Sequence, residues 1–160
     1  MKIFYTTMSE NSGQFLKNVL ARCGIHEPVL RTPNGKPFLR SGACFFSVTH
    51  TEGLLAVAVS LQEVGLDAER NRPRDTIAYQ KRLTPAEQRE DFYKLWTAKE
   101  AYVKFCGGTL AHLLPRLVYE HGTLFEGGMS ADVALKHLSL EGCTLCVCTK
   151  TPEETDLVQI

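Results

Sequence analysis

The stretch VGLDAE, Val64–Glu69, limits the folding of this chain most sharply, because it places two carboxylates two residues apart in an apolar run that begins at Leu54. Side chains alternate along a strand, so residues i and i+2 share a face and lie roughly 6.5–7 Å apart. Two anions placed in this way repel each other. Either solvent screens them at a strand end, or a cation sits between them. CFFSVTH and LLAVAVSLQEVGLDAE read as successive strands, the first running into a loop at His50–Gly53.

The rest of the chain alternates strand and helix signals. MKIFYTT reads as a first strand. Leu16, Val19, Leu20 and Cys23 recur at helical spacing after Ser12, and Gly24 supplies a stop. RTPNGKPFL is rich in turn residues. Thr84 and Glu87 form a capping-box pattern with Pro85 in the first helical position. Leu95, Ala98, Tyr102 and Phe105 then mark a helical stripe over Asp91–Cys106 that ends at Gly107-Gly108. LVYEHGTLFEGG and GCTLCVCTK read as later strands, while TPEETDLVQI fits a strand or a tail. This is an α+β order.

Of the 160 residues, 44% are apolar and 22% charged, enough for a packed core. Eighteen basic and eighteen acidic residues cancel, so a general attraction to nucleic acid or an anionic membrane has no support, and any anion must be recognised locally. No apolar run approaches the ~20 residues that cross a bilayer, and the N-terminus turns polar too early for a secretory signal, so a cytoplasmic protein is expected. Cys143, Cys146 and Cys148 form a CxxC with one more sulfur, but no second ligand pair accompanies it. The alternation of TLCVCTK favours buried, reduced thiols over zinc.

In WTAKEAYVK, Trp96–Lys104, Glu100 and Lys104 are four residues apart and share a helix face. One reading is a surface ion pair worth ~0.3–0.5 kcal/mol. The other makes Glu100 a third oxygen donor beside Asp67 and Glu69, a set suited to Mg²⁺.

Together, VGLDAE and WTAKEAYVK resemble the paired signature of the 4'-phosphopantetheinyl transferases, G-[VIL]-D-x-E followed by [FW]-[ST]-x-K-E-[AS]-x-x-K. Gly65, Asp67, Glu69, Trp96, Thr97, Lys99, Glu100, Ala101 and Lys104 all fit it. NGKP (Asn34–Pro37) and FSVTH (Phe46–His50) resemble two further elements of the larger class, in which one chain holds two similar halves. LTPAE resembles that family's lead-in to the helix. The chain departs from the pattern where Ser47 and Thr49 replace the asparagine and serine of the family's F-N-x-S-H. It is also short for the larger class, and the early basic residues have only Lys17, Arg22 and Arg31 as candidates.

The resemblance implies two similar α+β halves, 1–72 and 73–160, packed as a pseudodimer in a monomeric protein. It also implies transfer of the phosphopantetheine arm of coenzyme A to a serine of an acyl or peptidyl carrier protein. On this basis Asp67, Glu69 and Glu100 hold Mg²⁺, and Glu100 or a water it polarises serves as base. Lys36, Thr49, His50, Lys99 and Lys104 contact coenzyme A. Trp96 and Thr97 support the helix, and Cys106 is structural. Arg70, Arg72, Arg74, Lys81 and Arg82 form a basic rim for an acidic carrier. The alternative is a non-catalytic relative that binds coenzyme A or the carrier without transfer.

Overall fold

The computed structural model describes residues 1–72 and 83–160. Strand β1 (Lys2–Thr6) is followed by helix α1 (Ser12–Arg22), the short hairpin β2 (Val29–Arg31) and β3 (Pro37–Leu39), and then β4 (Phe45–Thr51), β5 (Leu54–Ser60) and β6 (Val64–Arg70). Helix α2 (Phe92–Cys106) and the single turn α3 (Leu110–Leu113) come next. The chain closes with β7 (Leu117–Glu120), β8 (Thr123–Glu126), β9 (Met129–Ser130), β10 (Ala134–Leu140), β11 (Cys143–Thr149) and β12 (Asp156–Gln159). The α+β class expected from the sequence is the one observed.

Two sheets carry the core. One has the order β12-β1-β5-β4, the other β10-β11-β6. Strand β5 runs antiparallel to both β1 and β4, and β11 to both β6 and β10, so strand–helix–hairpin occurs twice with the same sheet order. Both hairpins turn on a Glu-Gly pair, Glu52-Gly53 and Glu141-Gly142. The second turn holds Glu141 at φ 50 and Gly142 at φ 71, the left-handed pair that matches strand twist in a two-residue hairpin. The C-terminal segment left open by the sequence is β12, lying parallel to β1 with Lys2 opposite Asp156.

Three apolar layers follow from strand alternation. Phe15, Leu16, Val19 and Leu20 of α1 pack on Phe4, Phe46, Leu55 and Val57. Ile3, Ala56 and Ala58 of the first sheet face Val64, Leu66, Ala68, Leu145 and Val147 of the second. Cys146 and Cys148 on the far face meet Leu95, Ala98 and Tyr102 of α2. The central strands are therefore covered on both faces, which accounts for their nearly unbroken apolar runs. Cys143, Cys146 and Cys148 are buried free thiols.

Asn11 caps α1 through bonds from the Gly13 and Gln14 amides at 3.0 and 3.2 Å. At the C-terminus of α2, Gly107 at φ 65 permits bonds from its own amide to Lys104 O and from Gly108 N to Val103 O, which closes the helix with a Schellman motif. The Thr84–Glu87 capping box forms in both directions, at 3.0 and 3.3 Å. It heads only a 3₁₀ turn, Glu87–Arg89, because Glu90 is extended (ψ 158); α2 starts afresh with Asp91 accepting from Lys94 N.

Candidate functional site

Gly65, Asp67 and Glu69 lie on the face of β6 opposite the residues that pack between the sheets, and α2 crosses that face. A Cβ on Gly65 would stand 1.9 Å from the Ala101 carbonyl oxygen and 2.6 Å from the Phe105 amide nitrogen. Only the hydrogen side chain of glycine lets the helix backbone come this close. The contact brings the fourth turn of α2 alongside Asp67.

Asp67 is 5% exposed. Its Oδ1 accepts 2.8 Å from Lys104 Nζ and 3.3 Å from Thr49 Oγ1. Burial pushes the Asp67 carboxyl up, and Lys104 and Thr49 pull it back towards ionisation. Glu100 is pushed up to about 7, first by burial, then by the charges of Asp67 and Glu69, with Lys104 opposing. Asp67, Glu69 and Glu100 thus share one electrostatic field with one lysine. Lys104 Nζ also donates to Leu66 O at 3.0 Å and Val48 O at 3.4 Å, so it ties α2 to both β6 and β4.

Ser47, Thr49 and Thr51 of β4 direct their hydroxyls at β6. They accept from Leu66 N (2.9 Å), Ala68 N (3.1 Å) and Arg70 N (3.3 Å). Side-chain oxygens thus take the place of a backbone ladder along this edge of β6. Arg70 closes the end of the seam: its Nε and Nη2 reach Glu52 O at 2.8 and 2.6 Å, and its Nη1 reaches Glu141 O at 2.6 Å. One guanidinium thereby holds both hairpin turns.

A cleft of ≈ 280 Å³ opens beside Lys104, lined also by Arg31, Lys36, Ser47, Gly107 and the first residues of α1. Lys36 Nζ within it donates 2.6 Å to Glu63 Oε1 and 2.7 Å to Phe105 O. His50 is exposed in an adjoining groove of ≈ 440 Å³, which shares Ser12 with the cleft.

Of the residues singled out in the sequence, Asp67, Glu69, Glu100, Lys104 and Thr49 are gathered at one place, with Lys36 in the neighbouring cleft and His50 in the groove beyond. Thr49 stands behind Asp67, 2% exposed, and orients the carboxylate. Lys99 is not brought to this group. It is buried on another face of α2 and paired with Glu87 at 2.5 Å, where Glu87 also accepts from Tyr119 N and Thr84 N at 3.0 Å each. Trp96 stacks on Phe92 with ring centroids 6.2 Å apart. Thr97 Oγ1 bonds back to Tyr93 O at 2.7 Å.

Arg31 lines the cleft, whereas Lys17 and Arg22 do not. In the expected basic rim, Arg70 is engaged by the two turns and Arg72 by Glu52. Arg74, Lys81 and Arg82 lie outside the described residues. Sequence reasoning missed Ser47 and Thr51 as seam residues, although hydroxyls at every second position, 47, 49 and 51, carried the signal.

The donor set at Asp67, Glu69 and Glu100 is all carboxylate oxygen, the chemistry of a hard cation. Glu100 is raised first by burial and then by repulsion from Asp67 and Glu69, and a divalent ion would relieve the repulsion. In this arrangement Asp67 is paired with Lys104, and among the described residues no three His, Cys, Asp or Glu side chains are set to enclose an ion.

Residues 63–141, which include β6 and α2, match the family model described as the 4'-phosphopantetheinyl transferase superfamily. The chain is 29% identical over 133 residues to the 4'-phosphopantetheinyl transferase AcpT of Salmonella typhimurium, covering 74% of this chain and 65% of that one. It is 30% identical over 133 residues to AcpT of Escherichia coli K12, covering 74% and 64%. Identity is 32% over 145 residues to the 4'-phosphopantetheinyl transferase psf-1 of Bacillus pumilus, covering 79% and 62%. The chain thus spans just under two thirds of the length of these curated relatives. The segment that carries the β6 carboxylates and the Glu100 helix, residues 63–141, belongs to the 4'-phosphopantetheinyl transferase superfamily.

Proposed function

We propose that this protein transfers the 4'-phosphopantetheine arm of coenzyme A to a serine hydroxyl of an acyl or peptidyl carrier protein in a Mg²⁺-dependent reaction. The observation that carries the reading is Glu100, raised to about 7 beside Glu69 and an Asp67 that accepts from Lys104, next to a cleft lined with cations. With no cation bound this carboxylate titrates near neutral pH, and a bound Mg²⁺ would relieve the repulsion and hold it ionised, the form that accepts a proton.

In the proposed step the serine oxygen bonds to the phosphorus that bears pantetheine. The bond from that phosphorus to the bridging oxygen breaks, and its electron pair leaves with 3',5'-ADP. The serine proton passes to the Glu100 carboxylate or to a water that it polarises. Asp67, Glu69 and Glu100 would hold Mg²⁺, which supplies charge neutralisation for the pyrophosphate. Thr49 and Lys104 fix the Asp67 carboxylate. Lys36 and Arg31 place positive charge along the cleft for the pyrophosphate, and His50 extends the nucleotide surface into the adjoining groove. Lys99, paired with Glu87, acts through the position of α2.

The reading includes two similar halves, 1–72 and 73–160, in a monomeric protein. Its support is the sheet order β1-β5-β4 recurring as β6-β11-β10, with Glu-Gly turns in both hairpins. β6 falls within 1–72 yet pairs with β11, so the recurring unit β6-β11-β10 begins ahead of residue 73. The reading also includes a cytoplasmic location; no helix among the described residues is long and apolar enough to cross a membrane.

The test is mass spectrometry of apo carrier proteins incubated with the protein, coenzyme A and Mg²⁺. A mass gain of one phosphopantetheine, lost with Asp67→Ala and with EDTA, is expected. No gain on any carrier while coenzyme A still binds would replace transfer with binding alone.

A further inference from the structure

Two lysines line the ≈ 280 Å³ cleft, and each meets a carboxylate. The partner of Lys104 is Asp67, a member of the acidic group. The partner of Lys36 is Glu63, which lies ahead of β6 and outside that group, with its side chain 39% exposed. An ammonium has three donors. Glu63 Oε1 at 2.6 Å and Phe105 O at 2.7 Å take two of them, and one remains for the cleft.

Lys36 is also held by contacts that do not involve Glu63. Its amide donates to Thr32 Oγ1 at 3.1 Å, and Asn34 Nδ2 pins the same turn to Gly107 O at 3.1 Å. Its aliphatic stem occupies the space a Gly107 Cβ would need, with Cδ 3.0 Å from that position. Phe105 O also lies in the last turn of α2, where the negative end of the helix favours a cation. Glu63 is therefore not the lysine's only anchor. Its effect is to cancel the lysine's charge towards the cleft.

We propose that Glu63 is a built-in competitor for Lys36 that lowers the affinity of the cleft for a phosphorylated nucleotide. This rests on the nucleotide reading of the cleft given above. A phosphoryl oxygen must displace the carboxylate or share the ammonium with it. A doubly charged phosphate does so at a cost set by a partly exposed ion pair, equivalent to about two- to fivefold in affinity.

The probe is 3',5'-ADP, measured by isothermal titration calorimetry against the wild-type protein, Glu63→Gln, Lys36→Met and the double variant, each checked for folding by circular dichroism. Glu63→Gln should bind about two- to fivefold more tightly than wild type, and the gain should vanish in the Lys36→Met background. Equal or weaker binding by Glu63→Gln overturns the proposal, as does the same gain without Lys36. Binding by wild type with no gain in Glu63→Gln defeats only the competitor role. No binding by wild type or Glu63→Gln defeats the nucleotide reading and the proposal together.

Discussion

Replacing Gly65 by alanine is the sharpest test of how β6 and α2 build the site. The new Cβ would lie 1.9 Å from the Ala101 oxygen and 2.6 Å from the Phe105 nitrogen, both backbone atoms of a packed helix. Carbon–oxygen contacts settle at roughly 3.3 Å, so α2 must withdraw by about 1.4 Å or β6 must bend. Overpacking of a tight interior costs about 1–3 kcal/mol, and rigid backbone on the opposing side puts this case at the upper end. Gly65 has an ordinary backbone φ, so alanine recovers about 0.4–1 kcal/mol by restricting the unfolded chain. The net loss should be about 2 kcal/mol, seen as a lower urea midpoint at unchanged slope. Glu100 and Lys104 ride on α2, and under the proposed mechanism a displacement of about 1 Å at these groups would cost on the order of 100-fold in rate. Transfer by the folded fraction should fall accordingly. A loss below about 0.5 kcal/mol with full activity would refute the close approach as the reason for glycine here.

Three further perturbations have definite outcomes. Glu100 is pushed up to about 7, so between its unfolded value and 7 the folded state keeps a proton that the unfolded state has released, and stability falls as pH rises through that window. Glu100→Gln should therefore be more stable than wild type at pH 8, the difference fading towards pH 5; urea midpoints at the two pH values, with equal differences as the contrary result, decide it. Lys99→Met leaves Glu87, 2% exposed, without its cation and should cost about 3–5 kcal/mol in thermal or chemical melts, whereas a neutral outcome would mean that the pair does not hold the turn to α2. Thr49→Val strands the Ala68 amide and removes a bond to Asp67, for a loss of about 1–3 kcal/mol that Thr49→Ser should largely restore; failure of serine to rescue would shift the role from the hydroxyl to the methyl.

The carboxylates of β6 and the face of α2 were legible because both depend on local periodicity, and the family signature joins them. The reason for Gly65 was not, since it lies in the path of a helix that begins 27 residues later in the chain. Lys99 and Glu100 are neighbours in sequence but point about 100° apart around the helix. Which of them meets Asp67 is decided by how α2 packs, and the claim of Glu87 on Lys99 comes from a 3₁₀ turn whose place is set by tertiary structure. The capping box at Thr84 was recognised correctly as local chemistry, but its chemistry does not measure how far the following helix runs. The hydroxyl pattern of β4 was visible and went unused because serine and threonine alternation in a strand normally marks a solvent face.

The seam between β4 and β6 differs from an ordinary sheet edge in what encodes it. A backbone ladder survives almost any exchange of side chains, because every residue except proline brings the same donor and acceptor. Here the acceptors at 47, 49 and 51 are hydroxyls, so the bond between the two sheets is written in codons and not in the polymer itself. Single substitutions can therefore loosen, tighten or re-space the contact between cleft and carboxylates without altering either sheet, leaving the site adjustable along a line of three positions while the fold around it stays fixed.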